Sequence, residues 1–192
     1  MHAWERAFDA LNHLSDKLTV DKWRVTKADD KAEVQQRKAD RQKQMDDAFG
    51  LKVDVPLAGG CGNSNTGNTA RTAFQSADRF ADILGVDRNL VHRIHTMLVA
   101  INADIHLDAE AFRQYGRDTA ELWIQKYPKF YMSVSLHQLF IHGWESLRHS
   151  PLPLTFFSEQ SLESCNKTFK HDRRYHARKT SRLHTITDQF DR

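Results

Sequence analysis

A single acidic residue precedes a regular series of basic residues in the C-terminal part of the sequence. Glu163 is followed by Lys167, Lys170, Arg174 and Arg178, and at 100° per residue of an α-helix these five side chains fall within roughly 80° of one another. A carboxylate so placed can hold a divalent metal at a phosphodiester while the cations bind the flanking phosphates. A charged helix that only faces water is the simpler alternative, and spacing alone favours it.

The excess of positive charge is confined to the same region. The chain of 192 residues has 28 Lys and Arg, 25 Asp and Glu and a formal net charge of +3. Residues 158–192 hold 8 of the basic and 5 of the acidic residues, so residues 1–157 are neutral overall. This local concentration of charge favours a polyanionic partner. DNA is preferred to a membrane because the opposite face carries Cys165, Asp172 and His176 instead of an apolar stripe.

Composition indicates a globular protein, since 40% of the residues are apolar and 10% aromatic. Cys61 and Cys165 offer neither a disulfide framework nor a Cys-x-x-Cys metal motif. We expect both to be reduced, as in an intracellular protein. No apolar run approaches 18 residues and no signal-peptide pattern follows Met1, so we expect neither a membrane span nor secretion.

The dominant hydrophobic period is helical, and no segment predicts a strand. Two apolar stripes predict helices that face the core: Trp4, Phe8, Leu11, Leu14 and Leu18, and Leu90, Val91, Ile94, Met97, Leu98 and Ile101. The polar stretch 29–47 predicts an exposed helix or a poorly ordered arm.

Capping residues delimit the remaining helices. The Gly-rich stretch 58–68 predicts a mobile, non-helical loop. Asn68 or Thr69 is expected to cap a helix over 70–84 that ends at Gly85, and Asp108 to cap one that runs to residue 126. A further helix is expected over 133–148, and the last one starts at Ser158 or Ser161.

Several short motifs, taken in order, resemble Transib-type transposases and the catalytic subunit of the vertebrate V(D)J recombination-activating recombinase. The likeness extends from about His2 to Arg182. It is carried by Val53-Asp54-Val55-Pro56, Gly67-Asn68-Thr69-Ala70-Arg71, His137-x4-His142, Glu163-Ser164-Cys165-Asn166-Lys167 and Ala177-Arg178-Lys179. Each motif alone is common, and it is their order that is specific.

The resemblance implies a metal-dependent DNA nicking and strand-transfer enzyme with an RNase H-like fold. In that family two Asp and one Glu hold two divalent ions, Mg²⁺ or Mn²⁺, and Glu163 matches the third carboxylate. The two family aspartates precede the segment that begins at His2, and Asp54, Asp104 and Asp108 match other positions. We therefore expect a C-terminal piece of such an enzyme that does not cut DNA alone.

The resemblance also implies a structural zinc site. His137 and His142 match its two histidines, and a His-x4-His spacing is within the range of tetrahedral zinc. Read without the resemblance, the two are ordinary helix histidines. The other two family ligands form a Cys-x-x-Cys pair, which this sequence lacks.

The DNA contacts that we expect lie in two places. Backbone amides at a helix start beside Asn68 and Arg71 could bind phosphate, although a plain interhelical linker remains open. No Gly-Lys-Ser/Thr follows the glycines, so a nucleotide cofactor is not expected. The other expected contacts lie on the last catalytic helix: Asn166, Lys167, Lys170, Arg173, Arg174, Arg178 and Lys179.

The residue patterns predict a mainly α-helical chain, and the resemblance implies that it is the helical zinc-bearing insertion and final catalytic helix of an RNase H-like core without its sheet. The expected parts are a helical insertion region (1–132) with the loop at 58–68, a half zinc site and Pro-rich turn (133–157), and a basic helix (158–192). The expected partner is DNA at transposon ends, in the nucleus, with a homodimer left open. The alternatives are a non-catalytic helical DNA-binding protein derived from a transposon and a helical protein-interaction domain.

Overall fold

The computed structural model of the protein describes residues 2–56, 63–157, 160–178 and 180–190, with only the backbone described at 157, 160–167 and 188–190. These residues are mainly α-helical and include no β-strand, only an isolated bridge between Pro56 and Asn63. The chain divides into two compact units, His2–Thr155 and a unit that contains Phe156–Arg192. No described helix is both long and apolar enough to cross a membrane.

The described elements follow one another with short connections. The larger unit contains α1 (Ala3–Leu18), α2 (Ala28–Phe49), α3 (Gly67–Gln75), α4 (Ala77–Leu84), α5 (Arg88–Ile101), α6 (Ala109–Lys126), α7 (Val134–His137), a π-helical segment (Gln138–His142) and α8 (Gly143–His149). A 3₁₀ turn (Leu154–Phe157) follows, and the smaller unit contains α9 (Gln160–Tyr175) and α10 (Arg182–Phe190).

The core of the larger unit forms where α1, α3, α4 and α5 meet. Phe8 stacks on Phe80 with ring centroids 5.5 Å apart, and Phe74 meets Phe80 edge-on at 5.1 Å. Each fully buried Phe contributes roughly 1.5–3 kcal/mol through the removal of apolar surface from water. Both predicted apolar stripes are confirmed, because their members on α1 and α5 are buried except for the partly buried Leu18 and Ile101.

The polar stretch 29–47 forms the long helix α2, and it is neither wholly exposed nor a disordered arm. Met45 and the side chain of Arg41 are fully buried. Gly50 ends the helix in the left-handed conformation, at φ 65°, which glycine adopts without strain. The period of the apolar residues did not reveal this burial because Arg41 enters the interior through ion pairs.

The helix predicted over 70–84 is two helices in the structure. Thr66, rather than Asn68 or Thr69, is the N-cap of α3, and its Oγ1 accepts a hydrogen bond from the Thr69 amide at 3.2 Å. Gly67 and Asn68, predicted to lie in a loop, therefore form the first turn of the helix. Ser76 then interrupts the helix at φ −116°, ψ 61°. The predicted end of α4 at Gly85 is confirmed.

Helix α6 has the predicted boundaries, while the next helical region departs from prediction. The Asp108 side chain accepts hydrogen bonds from the amides of Glu110 and Ala111, and α6 ends at Lys126, before Pro128. Ser133 is the N-cap of α7, at the predicted start of this helical region. A continuous α-helix was predicted over 133–148, but the backbone widens into the π-helical segment at its centre.

Candidate functional site

Three exposed cations lie on α9, the helix that contains Glu163. Lys170, Arg173 and Arg174 are all solvent-exposed, and their positions fall within roughly 100° around the helix axis. The backbone of Glu163, Asn166 and Lys167 belongs to α9, whereas their side chains lie outside the described part of the structure. The described side chains thus give a basic face, which we call the α9 basic face and define as Lys170, Arg173 and Arg174.

The predicted helical stripe does not extend to Arg178. Helix α9 ends at Tyr175, and the amides of His176 and Ala177 both donate to the Asp172 carbonyl, at 2.9 and 3.0 Å. The chain therefore turns away from the helix path two residues before Arg178. Arg178 is exposed, but it lies outside α9, so helical periodicity does not place it on the same face as Lys170 and Arg174. Lys179 lies outside the described residues.

The turn at the end of α9 gathers three potential metal ligands that sequence reasoning did not select. One ligand atom from each of His171, Asp172 and His176 lies within 4.8 Å of the others. The His171 and His176 ring centroids are 5.4 Å apart. The sequence pattern that could have identified this group is the His-x4-His spacing, which His171 and His176 share with His137 and His142.

The predicted zinc histidines are brought together by the π-helical segment. In an α-helix, residues five apart point about 140° away from each other. In a π-helix the backbone hydrogen bonds run i→i+5 and each turn is wider, so residues five apart lie closer to the same side than in an α-helix. The ring centroids of His137 and His142 are 5.3 Å apart, with the ring planes tilted by 57°.

Gly116 of α6 allows this segment to approach closely. A Cβ atom at Gly116 would lie 2.2 Å from the Phe140 carbonyl oxygen, which is inside any van der Waals contact. Phe140 itself is buried, with 1% of its surface exposed. The close approach of α6 and the π-helical segment therefore requires glycine at residue 116.

The His137 and His142 pair offers two donors to a metal. Glu145 lies nearby, with Oε1 3.5 Å from Nδ1 of His142. Within the described part of the chain, however, no third His, Cys, Asp or Glu joins both histidines at metal-binding separation. Cys61 lies outside the described residues, as does the side chain of Cys165. The donor set fits half of a tetrahedral zinc site.

The predicted DNA contacts Asn68 and Arg71 lie side by side at the start of α3. The Arg71 guanidinium donates to Asn68 Oδ1 at 3.4 Å, and it lies 5.6 Å from the centroid of the Trp4 ring. Asn68 is exposed and Arg71 half-buried. Because Thr66 already accepts the Thr69 amide, fewer amides of the first turn remain for a phosphate than the prediction assumed.

Asp54 belongs to a buried ion-pair network in the larger unit. Its Oδ2 accepts from Arg41 Nη2 at 2.9 Å and lies 3.4 Å from Lys38 Nζ, while its Oδ1 accepts from Asn65 at 2.6 Å. Arg41 also binds both carboxylate oxygens of Asp16, at 2.7 and 3.0 Å. These ion pairs and hydrogen bonds give Asp54 a structural role.

The network also shifts the pKa values of Asp54 and Arg41. Burial raises the pKa of Asp54, but the hydrogen bonds and charges of Arg41, Asn65 and Lys38 outweigh it and leave that pKa below the usual value. Burial likewise lowers the pKa of Arg41, yet Asp16 and Asp54 hold it above its usual value. Both residues are therefore charged at neutral pH.

Similarity to known proteins adds nothing to this geometry. Comparison of the sequence with models of known protein families gives no match, and comparison with curated proteins gives no significant match.

Proposed function

We propose that the chain corresponds to the C-terminal part of the catalytic core of a Transib-like DNA transposase and that it binds the DNA backbone through α9. In this proposal the fold is the helical zinc-bearing insertion and last catalytic helix of an RNase H-like core. The observation that carries the proposal is the α9 basic face on the same helix as Glu163.

Electrostatics supports a phosphate backbone as the partner of α9. Residues 1–157 have no net charge, so attraction of a polyanion by this chain has its source in the basic C-terminal part. Exposed Lys and Arg on one side of a helix can contact successive phosphates and release condensed counterions, which contributes most of non-specific DNA affinity. Such contacts carry no base preference by themselves.

Two kinds of metal belong to the proposal. At Glu163, Mg²⁺ or Mn²⁺ would polarise the phosphate that is attacked. Glu163 is a single carboxylate, so further acidic ligands have to come from elsewhere in a complete catalytic core. His137 and His142 supply two of the four donors of a structural zinc site, and the short distance between their rings supports this assignment.

The salt dependence of DNA affinity tests the proposal. If Lys170, Arg174 and two further cations contact phosphates, log K should fall with log salt with a slope of roughly −3.6, at about −0.9 per contact. The double variant Lys170→Glu and Arg174→Glu should weaken binding to any duplex and flatten the slope by about 2 units. Fluorescence anisotropy with two unrelated duplexes measures both effects.

A matched control lies on α2. Lys31 and Lys43 are exposed, so their reversal to Glu changes the net charge by the same amount on a helix of the other compact unit. Lys38 is unsuitable because it is 3.4 Å from Asp54. Equal effects of the two double variants would mean diffuse charge attraction without a binding face. An affinity independent of salt would favour the protein-interaction alternative and sink the DNA proposal.

A further inference from the structure

We propose that His171, Asp172 and His176 form a zinc-binding site at the C-terminal end of α9. This site is separate from the two metal positions that the family resemblance implies. Its first ligand, His171, is eight residues from Glu163, which corresponds to about 12 Å along an α-helix with a rise of 1.5 Å per residue. Two imidazoles and one carboxylate are a donor set that suits zinc and other late first-row metals better than Mg²⁺.

The geometry that carries the proposal is the convergence of the three ligand atoms. All lie within 4.8 Å of one another, and Nδ1 of His171 is 3.7 Å from Oδ1 of Asp172. Tetrahedral zinc with bonds of about 2.0–2.1 Å needs its donors about 3.3 Å apart. Because both histidines are exposed, side-chain rotation alone can close the remaining ångström or so.

The backbone at the end of α9 explains why residues five apart converge. In a continuous α-helix His171 and His176 would point about 140° away from each other. Helix α9 ends at Tyr175. The His176 amide still donates to the Asp172 carbonyl at 2.9 Å in the α-helical i→i−4 pattern, whereas the Ala177 amide donates to the same oxygen at 3.0 Å from five residues away. The chain therefore wraps around the helix end and returns the imidazole of His176 to the side of His171 and Asp172.

The electrostatic environment has opposing contributions. The terminal carbonyls of α9 give its C-terminal end a partial negative charge, and Asp172 adds a full one, so both favour a cation. Arg173 and Arg174 of the basic face oppose it. Coordination to neutral imidazoles does not depend on net attraction, and three protein ligands leave one tetrahedral position for water. A site with these features should bind zinc in preference to Mg²⁺.

Histidine-resolved NMR of the full chain tests the proposal directly. During titration with Zn²⁺, the ring resonances of His171 and His176 should change together and saturate at the same zinc concentration, while Mg²⁺ should leave them unchanged. If zinc moves neither ring, or if Mg²⁺ moves them equally well, the proposed site does not exist.

A second experiment measures zinc affinity after substitution of the two histidines. The double variant His171→Gln and His176→Gln should bind zinc at this site at least about tenfold more weakly, because loss of even an outer-sphere partner often reduces affinity that much. Competition with a chromophoric chelator measures the affinity, and far-UV circular dichroism checks the fold. The matched control, His137→Gln and His142→Gln, should leave zinc at His171 and His176 unaffected. Unchanged affinity in the first variant, or loss of that zinc in the control, would overturn the assignment.

Discussion

At the scale of single residues, Arg41 shows how a charge can be accommodated inside a small helical protein. Its side chain is 0% exposed, and the paired carboxylate of Asp16 is 7% exposed. Desolvation of the three charges is offset by the bidentate contact with Asp16 and the additional contact with Asp54. The network joins the end of α1, the middle of α2 and the segment after α2.

Removal of the Arg41 charge should therefore be strongly destabilising. Arg41→Met removes the cation that binds Asp16 and leaves Asp54 with Lys38 alone, and we expect the free energy of unfolding to decrease by about 3–5 kcal/mol. Urea unfolding followed by circular dichroism measures it. The control is Lys43→Met on the exposed side of α2, expected to change stability by less than about 0.5 kcal/mol. Similar small effects of both substitutions would mean that the network contributes little.

His95 provides a pH-dependent prediction at the same scale. Its ring stacks on Phe74 at 5.7 Å and meets Trp4 edge-on at 5.8 Å. Burial, and secondarily the charge of His92, lowers the pKa of His95 below its usual 6.5. As the pH falls below about 6.5, the unfolded chain binds the proton first, so stability should decrease until the pH passes the lowered pKa of the folded state.

Comparison of two His→Gln variants isolates this contribution. His95→Gln should show a smaller loss of stability between pH 7 and pH 5 than the wild type, measured as the change in the free energy of unfolding. His13 is exposed on α1, and His13→Gln is the matched control for the substitution itself. A wild-type slope in His95→Gln would contradict the assignment.

At the scale of secondary-structure elements, the π-helical segment determines both the pairing of two histidines and a close helix–helix contact. Its wider turn lies between α7 and α8 and brings the rings of His137 and His142 to 5.3 Å from each other. The segment packs against α6 at Gly116, where the Phe140 carbonyl occupies the space of a side chain. The pairing of His137 with His142 thus depends on a helix–helix contact outside the pair.

Gly116→Ala tests this dependence. The added methyl group would have to displace the Phe140 carbonyl, and we expect overpacking to destabilise the protein by about 1–3 kcal/mol. The same displacement should separate the two histidines and weaken any zinc binding by His137 and His142. Thermal unfolding and zinc titration measure the two effects.

Gly67→Ala is the matched control for this substitution. Gly67 is also helical, and a Cβ atom there would meet nothing within 4 Å. Alanine at this position should be neutral or stabilise by about 0.4–1 kcal/mol through the unfolded state. If the two glycines respond alike, the close contact with Phe140 is not what matters.

At the scale of the whole molecule, the hydrophobic core and the basic face belong to different compact units. All buried hydrophobic side chains of the described residues lie between Trp4 and Phe140, within the unit His2–Thr155. The α9 basic face belongs to the unit that contains Phe156–Arg192. Stability and the proposed DNA binding are therefore assigned to different parts of the chain.

A truncated chain of residues 1–155 should separate the two properties. Because residues 1–155 retain every buried hydrophobic side chain of the described residues, we expect the melting temperature to remain within about 4 °C of that of the full chain, equivalent to a change of about 1 kcal/mol. Its salt-dependent affinity for duplex DNA should be lost. Differential scanning calorimetry and anisotropy measure these quantities, and a truncated chain that unfolds or still binds DNA would show that the properties are not separable.

The sequence by itself determined the features that depend on neighbouring residues. The limits of α6 follow from the Asp108 cap and Pro128, and the core faces of α1 and α5 follow from apolar residues at helical spacing. The helix that contains Glu163 and its cations was predictable for the same reason, because propensity and charge spacing act over a few residues. The sequence also identified His137 and His142 as candidate metal ligands.

Only the tertiary structure decided the features that depend on distant partners. Arg41 is buried because Asp16, 25 residues away, and Asp54, 13 residues away, meet it in space. The π-helical segment packs on Gly116 of α6, and the pairing of His171 with His176 depends on how the chain leaves α9. Local propensity favours a continuous α-helix at both His-x4-His motifs, so the convergence of these side chains follows from packing and chain reversal, which a periodic pattern does not contain.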